Sequence, residues 1–404
     1  MPPRPAALPR PAVLPRPALL PLLALLVAGA SPAFAGCGGP FGTFVAGLRA
    51  EAAARGHPAA TVDAFFAPVR QDPAVIRADR AQGVFRKSFI DFSRAAISQE
   101  RLTGGGAHAA RHDATFDRIE ADYGVPRGVL LAFWALETDF GAVQGEFNTA
   151  NALVTLAHDC RRPDLFRPQI FAALELFARG DFDPATTTGA WAGEIGQVQM
   201  LPADILENGV DGDGDGHVRL KTSAADALMS GARMLRQLGW RPNQPWLQEI
   251  VLPETLDWSQ TGLHTELPVS DWAALGVRAR NGALAEGLAG SVLLPMGRHG
   301  PAFMAYPNFR VYFAWNQSFV YVTTAAYFAT RLEGAPVYDA GKPDAGLSVD
   351  QMRRLQEKLA ARGHDVGKID GILGALTRAA TQKEQARLGL PADAWPTPAL
   401  LAAL

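Results

Sequence analysis

The segment that most restricts this chain is Val129 to Gly141, with the sequence Val-Leu-Leu-Ala-Phe-Trp-Ala-Leu-Glu-Thr-Asp-Phe-Gly. Leu130, Phe133, Trp134 and Glu137 fall at i, i+3, i+4 and i+7, which is one face of an α-helix. The first charge after the apolar run Val129 to Leu136 therefore lies in line with its bulkiest side chains. A carboxylate in such surroundings either finds partners or keeps its proton. An acid that keeps its proton near neutral pH can serve as a general acid. Gly141 is placed to end the helix by taking a left-handed conformation. A helix end whose Glu simply reaches water fits the same residues, and the motif alone leaves both readings open.

Helical patterning continues on both sides. From Phe41 to Ala121 there are apolar stripes and few strand signals, with Gly104-Gly105-Gly106 read as a loop. His108 and His112 are spaced i, i+4, but no further Cys, His or carboxylate nearby completes a metal site, so they read as exposed helix histidines. Pro126 suits the first turn of the central helix. Further helices are expected up to His158, over Phe166 to Arg179, over Ala224 to Leu238 and over Tyr321 to Leu332. Between Trp246 and Gly300 the chain is richer in β-branched residues, Pro and Gly, and reads as short strands and loops. A Pro/Gly-containing linker spans 335–346, and residues 347–404 form a small separate unit. In that unit Val349, Met352, Leu355 and Leu359 share one helix face. The expected fold class is mainly α (α+β), with a few short strands and a small three-helix C-terminal domain.

The first 35 residues are unlike the rest. Arg-led, Pro-rich hexads are followed by the apolar run Leu22 to Ala28 and by Ala33-Phe34-Ala35. A positive start, a short apolar run and a small-x-small site make a secretory signal peptide. The run is too short to favour a spanning helix. Cys37 and Cys160 are the only cysteines. An even count in an exported protein points to one disulfide. The rival is lipidation of Cys37, because Phe34-Ala35-Gly36-Cys37 forms a loose lipobox. A net charge of −2 gives no argument for nucleic-acid binding or for a strongly basic membrane face.

Three further stretches carry candidate ligand chemistry. Gly189 to Pro202 is Gly-rich, and its amides, Gln197 and Gln199, can bond a polar ligand; a buried turn is the competing reading. Tyr306 to Ser318 sets aromatics beside amides, including Tyr312, Trp315 and Asn316, a combination that suits the apolar faces and polar edges of sugar rings. A buried strand and helix start would use the same residues. Asp211-Gly-Asp213-Gly-Asp215-Gly216-His217 has carboxylates at loop positions 1, 3 and 5 and Gly at 6, the opening of an EF-hand-like calcium loop. His217 would offer its backbone carbonyl. Position 12 is Thr222 in place of the usual Glu, and Asp226 can stand in for it. A solvated acidic turn is the alternative. No organic cofactor motif is present in this reading.

Taken in order, these motifs resemble the lytic murein transglycosylases of the membrane-bound B family over roughly Phe41 to Leu332. The matching residues are Ala135-Leu136-Glu137-Thr138 with Phe140-Gly141, Phe147-Asn148 with Ala152-Leu153, Ala192-Gly193 with Gly196-Gln197 and Gln199, the Asp211 loop, and Trp315-Asn316-Gln317-Ser318. Ala190 stands where some members carry Ser. The resemblance implies a lysozyme-like catalytic core over 36–334, with Glu137 as the single acid/base and Gln199 and Asn316 as substrate-binding amides. It also implies a structural Ca²⁺ on the Asp211 loop. Such proteins cleave the β-1,4 bond between N-acetylmuramic acid and N-acetylglucosamine without water, leaving a 1,6-anhydromuramoyl end. The last sixty residues resemble a peptidoglycan-binding module, through Leu355-Gln356, Leu359, Gly363, Gly367 to Gly371, Gly374, Thr377 and Ala379. The expected partners are peptidoglycan strands in the periplasm, and proteins of wall synthesis or division, met as a monomer. A lysozyme-type muramidase using water and a non-catalytic wall-binding protein are the competing functions.

Overall fold

A computed structural model describes residues 36–81 and 87–404; the signal peptide read at 1–35 lies outside them. The centre of the fold is the helix Arg127–Thr138, in which every residue from Gly128 to Ala135 is buried. It packs along the helix Phe319–Leu332, whose own buried run extends from Tyr321 to Ala329. The helices Gln99–Arg111, Asp113–Tyr123 and Ala224–Gln237 surround this pair. Phe133, Trp134, Leu228, Phe309 and Phe328 belong to the one large core they share.

A second core lies beside it. The helices Phe41–Ala54, Ala59–Phe66, Thr149–His158, Pro163–Arg179 and Pro202–Asn208 bury Leu48, Phe65, Leu153, Ile170 and Ile205 together. The chain enters this unit at Cys37, which is bonded to Cys160 just beyond the helix Thr149–His158. There the Gly38 N–H also donates to the His158 carbonyl.

The stretch read as short strands forms a five-stranded antiparallel sheet, in the order Leu267–Pro268, Ala289–Leu293, Phe303–Ala305, Leu247–Val251, Arg278–Ala279. Side chains alternate across a strand, and the sheet uses both faces. Leu293, Phe303 and Ala305 point into the large core, while Val292, Met304 and Ile250 join a separate core around Trp272. The last helices, Val349–Ala361, Ala375–Arg387 and Pro398–Ala403, form the small C-terminal unit with a core of its own.

Four expectations need correction. Gly104-Gly105-Gly106 is not a loop but lies inside the helix Gln99–Arg111. The helical cost of glycine is accepted there because a Cβ on Gly105 would meet Leu332 Cδ2 at 2.5 Å. His108 and His112 are not simply exposed, because they pack on Trp134, and the His108 ring lies 4.6 Å from that of Phe140. Burial holds both imidazoles below the usual histidine value. The central helix ends two residues early: Asp139 and Phe140 already have positive φ, before Gly141. Finally, the linker read at 335–346 is held against the large core. Tyr338 is buried, its ring lies 4.8 Å from Tyr327, and its hydroxyl bonds Ser93 Oγ at 2.9 Å.

Candidate active site

Glu137 is the last acid on the central helix, and it is mostly buried. Tyr321 Oη donates to Glu137 Oε1 at 2.5 Å, and Trp315 Nε1 donates to the same oxygen at 3.2 Å. The Trp315 ring stacks on Phe133, one helical turn before Glu137, with centroids 4.5 Å apart. Burial pushes the Glu137 carboxyl above its ordinary value; the two donors pull the other way, and the charge of Glu194 adds to the rise. The net direction is upward, as a general acid at neutral pH requires. Tyr321 is pushed well above the ordinary tyrosine value, first by burial and then by Glu137, so it keeps its proton to donate.

Thr138 fixes the end of the helix. Its hydroxyl donates to the Gln197 carbonyl at 2.6 Å and accepts the Gly141 N–H at 2.9 Å, tying the helix to the Gly-rich loop. That loop is folded tightly. A Cβ on Gly189 would lie 2.0 Å from the Glu194 carbonyl oxygen, so only glycine permits the approach. Ile195 and Met200 close it through paired backbone bonds. Gln199 stands between them with a φ of 55°, its Nε2 donating to the Gly196 carbonyl at 2.8 Å. A non-glycine residue in that region is held there only by its surroundings.

The sequence candidates divide into two groups. Glu137 and Trp315 are in direct contact, Asn316 follows Trp315, and Gln199 lies on the loop that Thr138 ties to the helix end. Tyr312 and Gln197 behave differently from the expectation. Tyr312 is 0% exposed and stacks on Phe133 as part of the core, so it cannot touch a sugar. Gln197 is buried and its Nε2 reaches the Lys221 carbonyl, which makes it a brace for the loop. Tyr321 was missed because it was read as the start of a core helix; its place, five residues after Asn316, was the only signal. Arg101 was also missed. It pairs with Asp139 at 3.0 Å and so engages the acid two residues after Glu137 in the chain.

Glu194 is the other acid near Glu137. Burial raises its pKa too, and its Oε2 is enclosed with no hydrogen-bond partner among the described residues. Removing the Tyr321 donor gives a test of this electrostatic picture. In Tyr321→Phe the Glu137 carboxylate loses its shortest hydrogen bond, so its pKa rises further. A general acid works protonated, and the alkaline limb of kcat/KM therefore moves to higher pH while kcat falls. A bond to a charged group is worth about 1.5–3 kcal/mol, about tenfold to a hundredfold in rate if it is made only in the transition state. A pH profile that stays in place would mean that Tyr321 does not act on Glu137.

The Asp211 loop is tied to the start of the helix Ala224–Gln237 through Asp226. Carboxylate oxygens of Asp211, Asp213 and Asp226 come within 4.8 Å of one another. Asp226 is buried at the start of the helix Ala224–Gln237, where its Oδ1 accepts from the Gly212 N–H and Ser223 Oγ. Asp215 is outside this trio, and the His217 ring bonds Asp181 Oδ1 at 2.9 Å. Backbone amides, chiefly that of Gly216, hold Asp211 below the usual carboxylate range. Three hard, anionic oxygens in one place are the donor set that calcium takes.

A mainly helical core with a desolvated carboxylic acid, two donors on it and a Gly-rich loop alongside defines a glycan-cleaving enzyme of the lysozyme-like kind. The chain belongs to the lytic transglycosylase family, whose members cleave peptidoglycan: residues 40–330 match the transglycosylase SLT domain, and 348–404 match a peptidoglycan binding domain. SltB3 from Pseudomonas aeruginosa, solved in complex with NAG-anhNAM-pentapeptide, is 37% identical with a TM-score of 0.83, over 91% of this chain and 99% of that one. Membrane-bound lytic murein transglycosylase B of Escherichia coli (strain K12) is 24% identical over 232 residues, 57% of this chain and 63% of that protein. The Escherichia coli lytic transglycosylase SLT35, solved in complex with calcium, shares the fold at 21% identity and a TM-score of 0.62, over 75% of this chain and 98% of that one. Among the described residues no helix is long and apolar enough to cross a membrane.

Proposed function

We propose that Glu137 is the single acid/base with which this chain carries out the lytic transglycosylase reaction. Glu137 protonates the glycosidic oxygen between N-acetylmuramic acid and N-acetylglucosamine, and the bond from that oxygen to the muramic C1 breaks. The resulting carboxylate takes the proton from the 6-hydroxyl of the same muramic residue, and that oxygen bonds C1. The product is a 1,6-anhydro end, Glu137 is protonated again, and no water is consumed. Tyr321 and Trp315 steady the carboxylate between the two transfers. Gln199, on the loop tied to the helix end, and Asn316, next to Trp315, bind substrate.

One observation carries this reading: Glu137 is the acid with a raised pKa that two neutral donors hold in place. An ordinary glycosidase needs two carboxylates flanking the bond. Asp139 is tied to Arg101, and Glu194 is enclosed in the loop. The masses of released muropeptides test the reading. Transglycosylation gives products one water lighter than those of a muramidase. Products at the hydrolysed mass would make the enzyme a lysozyme-type hydrolase, and no release at all would make it a wall-binding protein.

The division of labour follows the same lines. A catalytic unit over 36–334 does the chemistry, 335–346 connects, and 347–404 holds peptidoglycan. Export through the segment 1–35 places the enzyme in the periplasm. A Cys37–Cys160 disulfide there uses the thiol that lipidation of Cys37 would need, so the two fates exclude each other.

Calcium belongs to the Asp211 loop as a structural ion, held by Asp211, Asp213 and Asp226. It offsets the repulsion among these carboxylates and orders a loop that alternates Asp with Gly. Binding to the folded state alone stabilises it by mass action. Without a Glu at position 12, the affinity should be about 10⁻⁴–10⁻³ M, the range of extracellular modules. The melting temperature should rise between EGTA and millimolar calcium, and should not do so in Asp211→Ala/Asp213→Ala. An equal shift in both proteins would leave only an acidic turn.

A further inference from the structure

Arg378 belongs to the C-terminal module, in the helix Ala375–Arg387, yet its guanidinium is buried against the catalytic domain. Nη1 and Nη2 donate to the carbonyls of Leu294 and Pro295 at 3.3 and 2.6 Å, just beyond the strand Ala289–Leu293. The same group sits 4.5 Å above the Phe319 ring and 5.9 Å from that of Trp395. Burying a guanidinium is costly unless bonds and ring faces replace its water. Burial lowers its pKa to about 10, so it stays charged at neutral pH, with Asp393 as the nearby opposing charge. Other buried contacts join the same two surfaces. Gln382 Nε2 donates to the carbonyls of Trp258 and Thr261, Asp393 accepts the Arg298 N–H, and Trp395 sits in the large catalytic core. The module is docked by these contacts and does not hang on a tether.

Phe319 opens the helix Phe319–Leu332. It lies between Trp315 and Tyr321, the two residues that donate to Glu137. The turn between them is braced internally. Asn316 Oδ1 accepts the Ser318 N–H at 2.9 Å, and Ser318 Oγ accepts the Tyr321 N–H at 3.4 Å. A displacement of Phe319 therefore carries both donors with it.

We infer that Arg378 is a positioning residue for Glu137. Its guanidinium, clamped between the Leu294 and Pro295 carbonyls and the Phe319 ring, fixes the Trp315–Tyr321 turn, so the module helps to build the active site as well as to hold the wall. The inference rests on Glu137 being the acid. A misplacement of about 1 Å at a distance from the chemistry can cost on the order of 10²-fold in rate.

The test uses full-length Arg378→Met, Arg378→Lys and Phe319→Leu, each assayed on a short soluble glycan fragment and, separately, for binding to sacculi. The groups around Glu137 that titrate or carry charge are Tyr321, Glu194 and the Arg101–Asp139 pair, and none of these variants replaces them. Arg378→Met should lower kcat by about tenfold to a hundredfold, with KM on the fragment changed by no more than about twofold. The alkaline limb should move to higher pH, because loosened donors favour the carboxylate less. Arg378→Lys keeps the charge without the flat, forked contact and should recover part of kcat. Phe319→Leu leaves Gln382 and Trp395 in place and should reproduce the fall. Wild-type kcat and pH profile in Arg378→Met and Phe319→Leu, with only sacculus binding reduced, would overturn the inference and make the module a binding accessory. If Arg378→Met does not melt cooperatively, Phe319→Leu decides by the same two outcomes. Glu137→Gln is run in parallel, and activity surviving there would overturn the reading of Glu137 instead.

Discussion

Glu137→Gln should abolish turnover, by about 10²–10⁴-fold for the loss of a general acid, while the protein still binds sacculi. The amide keeps a carbonyl oxygen for the Tyr321 and Trp315 donors, so the surroundings of the site have little reason to move. It has no proton to give to a leaving oxygen and cannot take one from the 6-hydroxyl. The same variant should be more stable than the wild type at neutral pH and above. The folded-state pKa of Glu137 is raised, chiefly by burial. A raised carboxyl pKa means that the folded state holds its proton longer than the unfolded chain does. Its contribution is fully present below the ordinary carboxylate range and is lost as pH rises through the folded pKa. Gln escapes that loss, so the difference in melting temperature should grow from acid to neutral pH. Normal release of anhydromuropeptides by the variant would remove Glu137 from the chemistry. A stability difference that is flat with pH would contradict its raised pKa.

Loss of the disulfide should have the largest effect on stability. Cys37 and Cys160 are 123 residues apart. Closing a loop of about that length restricts the unfolded chain by about 5 kcal/mol in chain-entropy terms. Cys37→Ser/Cys160→Ser should therefore unfold at clearly lower denaturant concentration, with the N-terminal helix the first to loosen. Part of the tie should survive, since the Phe41 and Phe44 rings pack on His158 and Phe44 and Leu48 are buried in the second core. Thiol titration of denatured, unreduced protein from the periplasm should find no free cysteine. Two free thiols would refute the bridge and reopen lipidation of Cys37.

Much of the catalytic helix was legible because an unbroken apolar run, Val129 to Leu136, leads into a single acid in line with Leu130, Phe133 and Trp134. The acidic loop was legible because Asp at positions 1, 3 and 5 with Gly at 6 is the opening of a calcium-loop pattern that spacing alone displays. The structure brings Asp226, read as the stand-in for position 12, to Asp211 and Asp213, and leaves Asp215 outside that group. That Asp215 stays outside the group depends on how the following helix packs, which residue spacing does not encode. Gly104-Gly105-Gly106 misled because glycine is a poor helix former in isolation, whereas here the close approach of Leu332 decides. Tyr312 misled because a run of aromatics does not say which of them faces a ligand and which faces the core. Tyr321 could not be told from its apolar neighbours without its partner. The docking of the module was not legible at all. Its buried Arg378 reads as an ordinary helical surface residue until Leu294, Pro295 and Phe319 are brought to it.

Transglycosylation and hydrolysis differ in which oxygen forms the new bond to C1. Digesting sacculi in water enriched in ¹⁸O and weighing the released ends by mass spectrometry answers that question. Attack by the sugar's own 6-hydroxyl predicts ends that are one water lighter and carry no label, with the signal lost in Glu137→Gln. Labelled reducing ends at the full hydrolysed mass would contradict it.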